Sequence, residues 1–464
     1  MRKATWIKEI FEGNVALGDI FLRGWVRSVR KKKAFSFMVI NDGSSQQNLQ
    51  IVLDADIENY EALSSCHTGA CVAIRGKLVE SQGKNQSYEV VAVGGSVLGS
   101  SQQDYPLQKK ATSLEFLREN AHLRARTNLF GAVFRIRNNL AFATHRFFQE
   151  KGFYYINTPI ITGIDAEGAG EMFNVSTLSP DKVKKTDDGS FDYKNDYFGK
   201  STSLTVSGQL EAETFAMGMG KVYTFGPTFR SENSNTARHL AEFWMIEPEV
   251  AFADLDDVAD LGADYIKYLI QSALEGCRDE LDFLQKRPEV DDDLVERLMS
   301  VSNSEFTKIT YTAAVDILID CGKKFEFPVE WGKELQTEHE RYLSEEKFNG
   351  PVIVTDYPKD CKAFYMKQND DGKTVRAMDI LLPGVGEIIG GSQREENLDK
   401  LKQRMNDMGM DQDSLWWYLD LRKHGTAPHA GFGLGFERAI MYITGMKNIR
   451  DVIAFPRTPK SADF

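Results

Sequence analysis

The chain has 464 residues, of which 42% are apolar and 27% charged, so it is an ordinary globular composition on a chain longer than one typical core. A net charge of −12 excludes broad, nonspecific nucleic-acid binding but leaves room for a local basic patch. No apolar run approaches the roughly 18 residues of a membrane span, and the opening MRKATWIKEIFEG lacks the apolar core of a secretory signal.

Residues 15–100 read as short strands separated by turns: IFLRGWVRSVR, AFSFMVINDGS, NLQIVLD, CVAIRGKLVES and SYEVVAVGGSVLG. Turn signals at Asp42-Gly43, Gly83 and Gly94-Gly95 space them as a small closed barrel of the OB type, the usual holder of single-stranded nucleic acid. The run RSVRKKK, with Arg27, Arg30, Lys31, Lys32 and Lys33, fits either a nucleic-acid patch or a solvated loop. Phe37 follows it, and Gln50 lies on the next strand. A stacking aromatic beside an amide is what reading an unpaired base requires, although Phe37 also fits a core position.

The organisation expected is a barrel domain at 1–105, a hinge at 106–130 and a second domain at 131–464, an α+β chain overall. The second domain opens with a long helix, GAVFRIRNNLAFATHRFFQEKG, whose Val133, Ile136, Leu140, Ala143 and Phe147 form an apolar stripe. FYYINTPIIT then reads as a strand broken at Pro159. Charged, glycine-punctuated residues 178–202 read as an insertion or loop, SLTVSGQL as a strand, and EAETFAMGMGK as a helix. Helical patterns dominate 255–350, expected as a second insertion, before the strands PVIVTDYP, AMDILLPG and GEIIGGS. The five cysteines are scattered without CxxC pairs, which predicts free thiols (buried ones at Cys66 and Cys71), a reducing cytoplasm and no structural zinc.

The densest chemistry lies in FRSENSNTARHLAEFWMIEPE, residues 229–249. The β-forming runs VYTFGPTF and EFWMIEPEVAF flank a turn-like centre, so an antiparallel hairpin is expected. Alternation puts Arg230 and Glu232 on one face of the first strand. On the second, Phe243, Met245, Glu247 and Glu249 share a face while Trp244 and Ile246 point away. Arginine forks on that face suit phosphate, Phe243 suits a purine, and the carboxylates suit metal, amine or amide; the bland alternative is a salt-bridged sheet surface. Near the C-terminus, alternating Gly431, Gly433 and Gly435 strip one strand face of side chains, and Arg438 follows in the first turns of a helix. The pattern is neither the Rossmann fingerprint nor the Walker lysine loop.

Taken together these blocks resemble the class II aminoacyl-tRNA synthetases over essentially the whole chain. The helix and strand ending at Pro159 resemble the family's first motif, FRSE…RHL…EF the second and GFGLGFER the third. The barrel is similar to the anticodon-binding domain of the aspartyl, asparaginyl and lysyl subgroup. YPLQKKATSLEFLRENAHLRARTN, LTVSGQLEAE, FRSENSNTARHLAEFWMIEPE and NIRDVIAFPRTP are most similar to bacterial asparaginyl enzymes.

The resemblance implies a class II antiparallel-sheet catalytic domain flanked by helices, and the ATP-dependent ligation of asparagine to tRNA(Asn) through an aminoacyl-adenylate. It also implies a cytoplasmic homodimer with no membrane association. Catalytic roles fall to Arg230, Glu232 and Arg438. Arg230 would contact the α-phosphate and the amino-acid carboxylate; Arg238, His239 and Arg438 the β/γ end; Phe243, Glu232 and the Arg438 guanidinium the adenine. Gly433 and Gly435 would line the ATP site, and Asp379 and Glu387 would hold Mg²⁺. The amino acid would meet Glu167 at its ammonium group, Ser207 and Gln209 beside it, and Arg394 and Glu247 at its side chain. An aspartyl enzyme charging both tRNAs is the alternative. It carries lysine where this chain has Ala212 and aspartate where it has Glu247. In the barrel, Phe37 would stack on the middle anticodon uridine, Gln50 would hydrogen-bond it and Arg30 would hold phosphate.

Overall fold

Alternating apolar residues in the first hundred positions form five strands: β1 (Gly18–Lys31), β2 (Phe35–Asn41), β3 (Leu49–Asp54), β4 (Cys71–Glu80) and β5 (Tyr88–Gly99). They close into a barrel in the order β1-β2-β3-β5-β4. The pleat decides what is inside: in β3, Leu49, Ile51 and Leu53 are buried in the barrel core, while Gln50 and Val52 lie on the other face. The structure is a computed structural model that describes the chain except residues 1–2, 84–85, 109–111, 167–171, 180, 182–183, 188 and 235.

Gly43 has a φ of +87° in the turn that Asp42-Gly43 predicts. Gly94-Gly95 is different: it lies inside β5, paired with Arg75 and Ile74 of β4, and is no turn. A Cβ at Gly95 would sit 2.5 Å from the Ala73 carbonyl oxygen, so glycine is needed here for close strand approach. All five cysteines are free, but Cys66 and Cys71 are half-buried rather than buried.

The chain divides into two compact units, Met1–Phe134 and Arg135–Phe464. Residues 106–130 carry two short helices, Leu114–Glu119 and Ala121–Arg124, and the start of a long one, α1 (Asn128–Glu150). Every residue of the α1 stripe is buried, from Val133 to Phe147.

The second unit is built on an eight-stranded sheet. Its strands are β6 (Tyr154–Tyr155), β7 (Lys221–Phe229), β8 (Glu242–Ala251), β9 (Thr307–Thr310), β10 (Val352–Pro358), β11 (Thr374–Leu382), β12 (Gly386–Gln393) and β13 (His429–Gly435). Their order across the sheet is β9-β10-β11-β12-β13-β8-β7-β6. All neighbours run antiparallel except β9 with β10 and β6 with β7.

Helix α2 (Gln209–Met219) leads into β7, and α3 (Leu255–Gly276) packs across the sheet. A Cβ at Gly262 of α3 would meet the Ile380 side chain at 2.9 Å, so the absent side chain lets helix and sheet approach closely. Within the expected insertion at 255–350, α3 therefore covers the sheet and β9 extends its edge. Residues 178–202 include a small hairpin, Lys184–Lys185 with Phe191–Asp192. SLTVSGQL is only partly extended: the strand is Thr202–Leu204, and Gln209 already opens α2.

Candidate active site

The hairpin forms as β7 and β8, with Thr224 opposite Glu247 and Thr228 opposite Phe243. Arg230 and Glu232 do not belong to the first strand, because β7 ends at Phe229 and both lie in the loop beyond it. The partition of the second strand holds. Trp244 packs edge-on to Phe225 (5.6 Å between centroids) and Ile246 is buried, while Phe243 and Met245 line a cleft on the other face.

That cleft brings together Arg230, Glu232, Arg238, His239, Phe243, Glu387, Gly433, Gly435 and Arg438. The Arg230 guanidinium lies 5.5 Å from the Phe243 ring centroid. Arg438, in the first turn of α4 (Phe436–Thr444), donates to the Glu387 carbonyl at 3.1 Å. Burial lowers the proton affinity of Arg238, and the cations of Arg438 and Arg341 lower it further. Such crowding of cations suits a polyanion.

Gly433 and Gly435 form the floor expected of a bare strand face, but the floor is partly covered. Met245 reaches over it, its methyl 2.8 Å from where a Cβ of Gly433 would stand. Any side chain at Gly433 would displace Met245, so glycine and methionine share that layer.

Asp379 of β11 and Glu387 of β12 lie beside this cleft. Lys362 donates to both oxygens of Asp379, at 2.9 and 3.2 Å. Arg438 lies 3.5 Å from the Glu387 carboxylate. A third acid, Glu340, accepts from the Glu387 backbone N–H at 3.0 Å. Burial and the nearby Glu387 and Asp379 push the Glu340 carboxyl up to about 7. Burial and Asp379 likewise raise Glu387, against the pull of Arg438, Lys362 and Arg230. Mutual repulsion among hard oxygen donors marks a place suited to a divalent cation. Among the described residues no group of three or more His, Cys, Asp or Glu could hold a metal by itself.

Ser207, Gln209, Glu247 and Arg394 form a second cluster, more buried than the first. Glu247 accepts from Gly208 N (3.0 Å), Thr224 Oγ1 (2.9 Å) and the Ser207 hydroxyl. It thus ties β8 to the loop entering α2. Arg394 is 2% exposed and donates through Nε and Nη2 to the two oxygens of Glu249, and through Nη1 to Ser392 Oγ. Burial raises the Glu249 carboxyl and Arg394 opposes it. A contact in which both oxygens accept from one guanidinium is the geometry of an arginine–carboxylate ion pair, so Arg394 favours the charged form of Glu249 against its burial. Ala212 is fully buried on α2, packed with Ala216 and Val222. Glu167 lies outside the described residues.

The sequence pattern does not single out Glu340, Lys362 or Glu213, which the fold brings to these clusters. Glu340 and Lys362 lie outside any recognisable pattern, and only folding brings them to Glu387 and Asp379. Glu213 had a signal, since it stands four residues after Gln209 on one helix face, and Gln209 Nε2 donates to it at 3.2 Å.

In the barrel, β1 pairs Arg30 directly with Phe37 of β2, and the guanidinium lies 5.2 Å from the ring centroid. Phe37 is half-buried, so it is not a core residue. Lys32 also approaches the ring, at 5.4 Å. Gln50 donates to Glu89 at 3.0 Å.

Residues 113–459 match the family of class II tRNA synthetases (D, K and N), and residues 20–94 match the OB-fold nucleic acid binding domain. The chain is 58% identical to an asparagine–tRNA ligase of Cytophaga hutchinsonii and 56% identical to one of Alkaliphilus metalliredigens, each over the full length of both proteins. In structure it is similar to asparaginyl-tRNA synthetase from Pyrococcus horikoshii complexed with asparaginyl-adenylate, with a TM-score of 0.86, 31% identity and all of both chains covered. With the fold, the cleft and these similarities in agreement, the chain belongs to the class II aminoacyl-tRNA synthetases of the aspartyl, lysyl and asparaginyl group, and within it to the asparagine–tRNA ligases.

Proposed function

We propose that this protein ligates asparagine to tRNA(Asn) in two steps. The asparagine carboxylate attacks the α-phosphorus of ATP, the bond to pyrophosphate breaks, and asparaginyl-adenylate remains. The 3′-terminal adenosine of the tRNA then takes the asparaginyl group and AMP leaves. The observation that carries this reading is the meeting of Arg230, Arg238, Phe243, Glu387 and Arg438 in one cleft, in a chain with full-length asparagine–tRNA ligase relatives.

Phosphoryl chemistry of this kind needs orientation and charge neutralisation rather than a protein nucleophile. Arg230 neutralises charge at the α-phosphate and orients the attacking carboxylate. Arg238, with His239, and Arg438 hold the β- and γ-phosphates. Phe243 and the Arg438 guanidinium face the two sides of adenine, Glu232 accepts from its amino group, and Gly433 and Gly435 allow the close approach. Mg²⁺ fits the donor set: Asp379 and Glu387 would hold it, and it would neutralise the phosphate oxygens. Two protein carboxylates would suffice for an ion that usually takes few protein ligands when it serves phosphates.

Glu167 receives the substrate ammonium, with Ser207 and Gln209 beside it. Arg394 donates to the side-chain carbonyl oxygen and Glu247 faces the amide nitrogen. In the barrel Phe37 stacks on the middle anticodon base, with Gln50 and Arg30 alongside.

The enzyme works as a homodimer. Exposed Phe142, Tyr154, Ile160 and Ile161 support this, as apolar groups that a partner copy would cover. Its place of work is the cytoplasm, which suits five free thiols; no helix among the described residues is long and apolar enough to cross a membrane. ATP–pyrophosphate exchange run in parallel with asparagine, aspartate and lysine tests the reading. Exchange with aspartate but not with asparagine would overturn it.

A further inference from the structure

Behind Gln209 and Arg394 lies a buried polar cluster that adenylate formation does not use. At its centre Glu213 is 0% exposed. It accepts from Tyr418 Oη (2.7 Å), His429 Nε2 (2.9 Å), Arg422 Nη2 (3.1 Å) and Gln209 Nε2 (3.2 Å). Arg394 lies 3.9 Å away. Burial works to raise the Glu213 carboxyl, but the His429 ring, Arg422 and Arg394 outweigh it and hold it well below the usual carboxylate range.

The charges here are sealed from water, so each is felt strongly by its neighbours. An unopposed arginine at position 394 would be a good receptor for any carboxylate, because its planar fork grips two oxygens at once. In this chain that fork is already taken by Glu249, and Glu213 answers Arg422 from below. Of the guanidinium's N–H groups, those left over can serve a neutral carbonyl oxygen. A substrate carboxylate would instead add another anion beside Glu213, Glu247 and Glu249.

We propose that Glu213, acting with Glu249, matches the positive charge of Arg394 and Arg422 before the amino acid arrives, so that the site takes the asparagine amide and rejects the aspartate carboxylate. Glu213 touches no reacting atom and is a positioning and specificity-determining residue. It also fixes the Gln209 amide, so the same carboxylate sets both the geometry and the charge of the pocket. This deepens the proposed function and rests on its placement of the substrate side chain at Arg394.

The test is ATP–pyrophosphate exchange by the full-length enzyme with asparagine and with aspartate, comparing wild type with Glu213→Gln and Glu213→Asp. Expected is a rise of about tenfold or more in the aspartate-to-asparagine ratio of kcat/KM for Glu213→Gln, with Glu213→Asp close to wild type. Equal losses with both substrates in Glu213→Gln, or a Glu213→Asp enzyme as permissive as Glu213→Gln, would overturn the proposal. Should Glu213→Gln not yield folded protein, Glu249→Gln reads the same balance: a rise in the ratio supports it and an unchanged ratio overturns it. An Arg394→Ala enzyme with an unaltered KM for asparagine would instead overturn the placement of the side-chain pocket.

Discussion

Asp379 and Glu387 stand on neighbouring strands and aim at one point: their oxygens lie 3.4 and 3.3 Å from where a Cβ of Gly390 would be. Glycine at 390 leaves the space between two acids open. Like charges held this close repel, Asp379 helps to raise the Glu387 carboxyl, and a divalent cation is the natural relief. Asp379→Asn and Glu387→Gln should each reduce adenylate formation by about a hundredfold or more and move the Mg²⁺ concentration for half-maximal exchange upward. A variant that loses rate with an unchanged Mg²⁺ midpoint would show that its carboxylate serves only the local ion pairs.

Arg438 is the cation that joins this acid pair to the cleft proposed for the nucleotide. It touches Glu387 and lines the pocket with Phe243 and Gly433. Arg438→Ala should abolish pyrophosphate exchange, a loss of about a hundredfold or more, while leaving tRNA binding largely intact. Near-normal exchange would mean that ATP binds elsewhere.

Phe37 sits half-buried on the barrel with the Arg30 and Lys32 cations near its ring. Aromatic stacking with an unpaired base is worth about 1–3 kcal/mol, so Phe37→Ala should raise the tRNA KM roughly five- to 150-fold. Exchange without tRNA should be unchanged, since the residues proposed for adenylate formation all lie in the second unit. The readout is aminoacylation as a function of tRNA concentration beside exchange on the same preparation.

Much of this was legible in the residues, and the parts that were not have physical reasons. The hairpin announced itself because VYTFGPTF and EFWMIEPEVAF carry β-formers on both sides of a polar turn. Strand alternation then assigned Phe243, Met245, Trp244 and Ile246 correctly. It failed at Arg230 and Glu232, since alternation says nothing about where a strand stops. Gly94-Gly95 was misread as a turn because close strand packing and a reversal demand the same residue. Lys362 and Glu340 were invisible for another reason: their partners, Asp379 and Glu387, lie 17 and 47 residues away along the chain. Only tertiary structure pairs them.

Glu247 is not a lone acid facing substrate. Its carboxylate already accepts from Ser207, Gly208 and Thr224. Glu247→Gln turns one acceptor into a donor that faces other donors, a mismatch costing about 1–3 kcal/mol. The variant should therefore melt at lower temperature and show a KM for asparagine raised by about tenfold, because the loop carrying Ser207 and Gln209 loses its anchor. Thr224→Val, which removes one donor and keeps the acid, should show the same two effects more weakly. A raised KM with an unchanged melting temperature would instead mark Glu247 as a substrate contact alone.

The Glu213 cluster also predicts how the fold answers acid. The His429 ring, Arg422 and Arg394 hold the folded-state carboxyl well below the ordinary glutamate value of about 4.3 that the unfolded chain would show. A carboxylate depressed on folding binds more protons unfolded than folded below that ordinary value. Its stabilisation is therefore fully present above about pH 4.3 and is lost as pH falls toward the folded-state value. At neutral pH, Glu213→Gln removes the anion and leaves buried Arg422 facing a neutral amide, at a cost of about 3–5 kcal/mol. As pH drops below about 4 the wild type surrenders the same contribution, so the gap between the two melting temperatures should narrow with acidification. Melting curves of both proteins from pH 8 to pH 3 measure that gap. A gap that stays constant throughout, or widens at low pH, would mean that the Glu213 charge contributes nothing to holding α2 against Arg422 and His429.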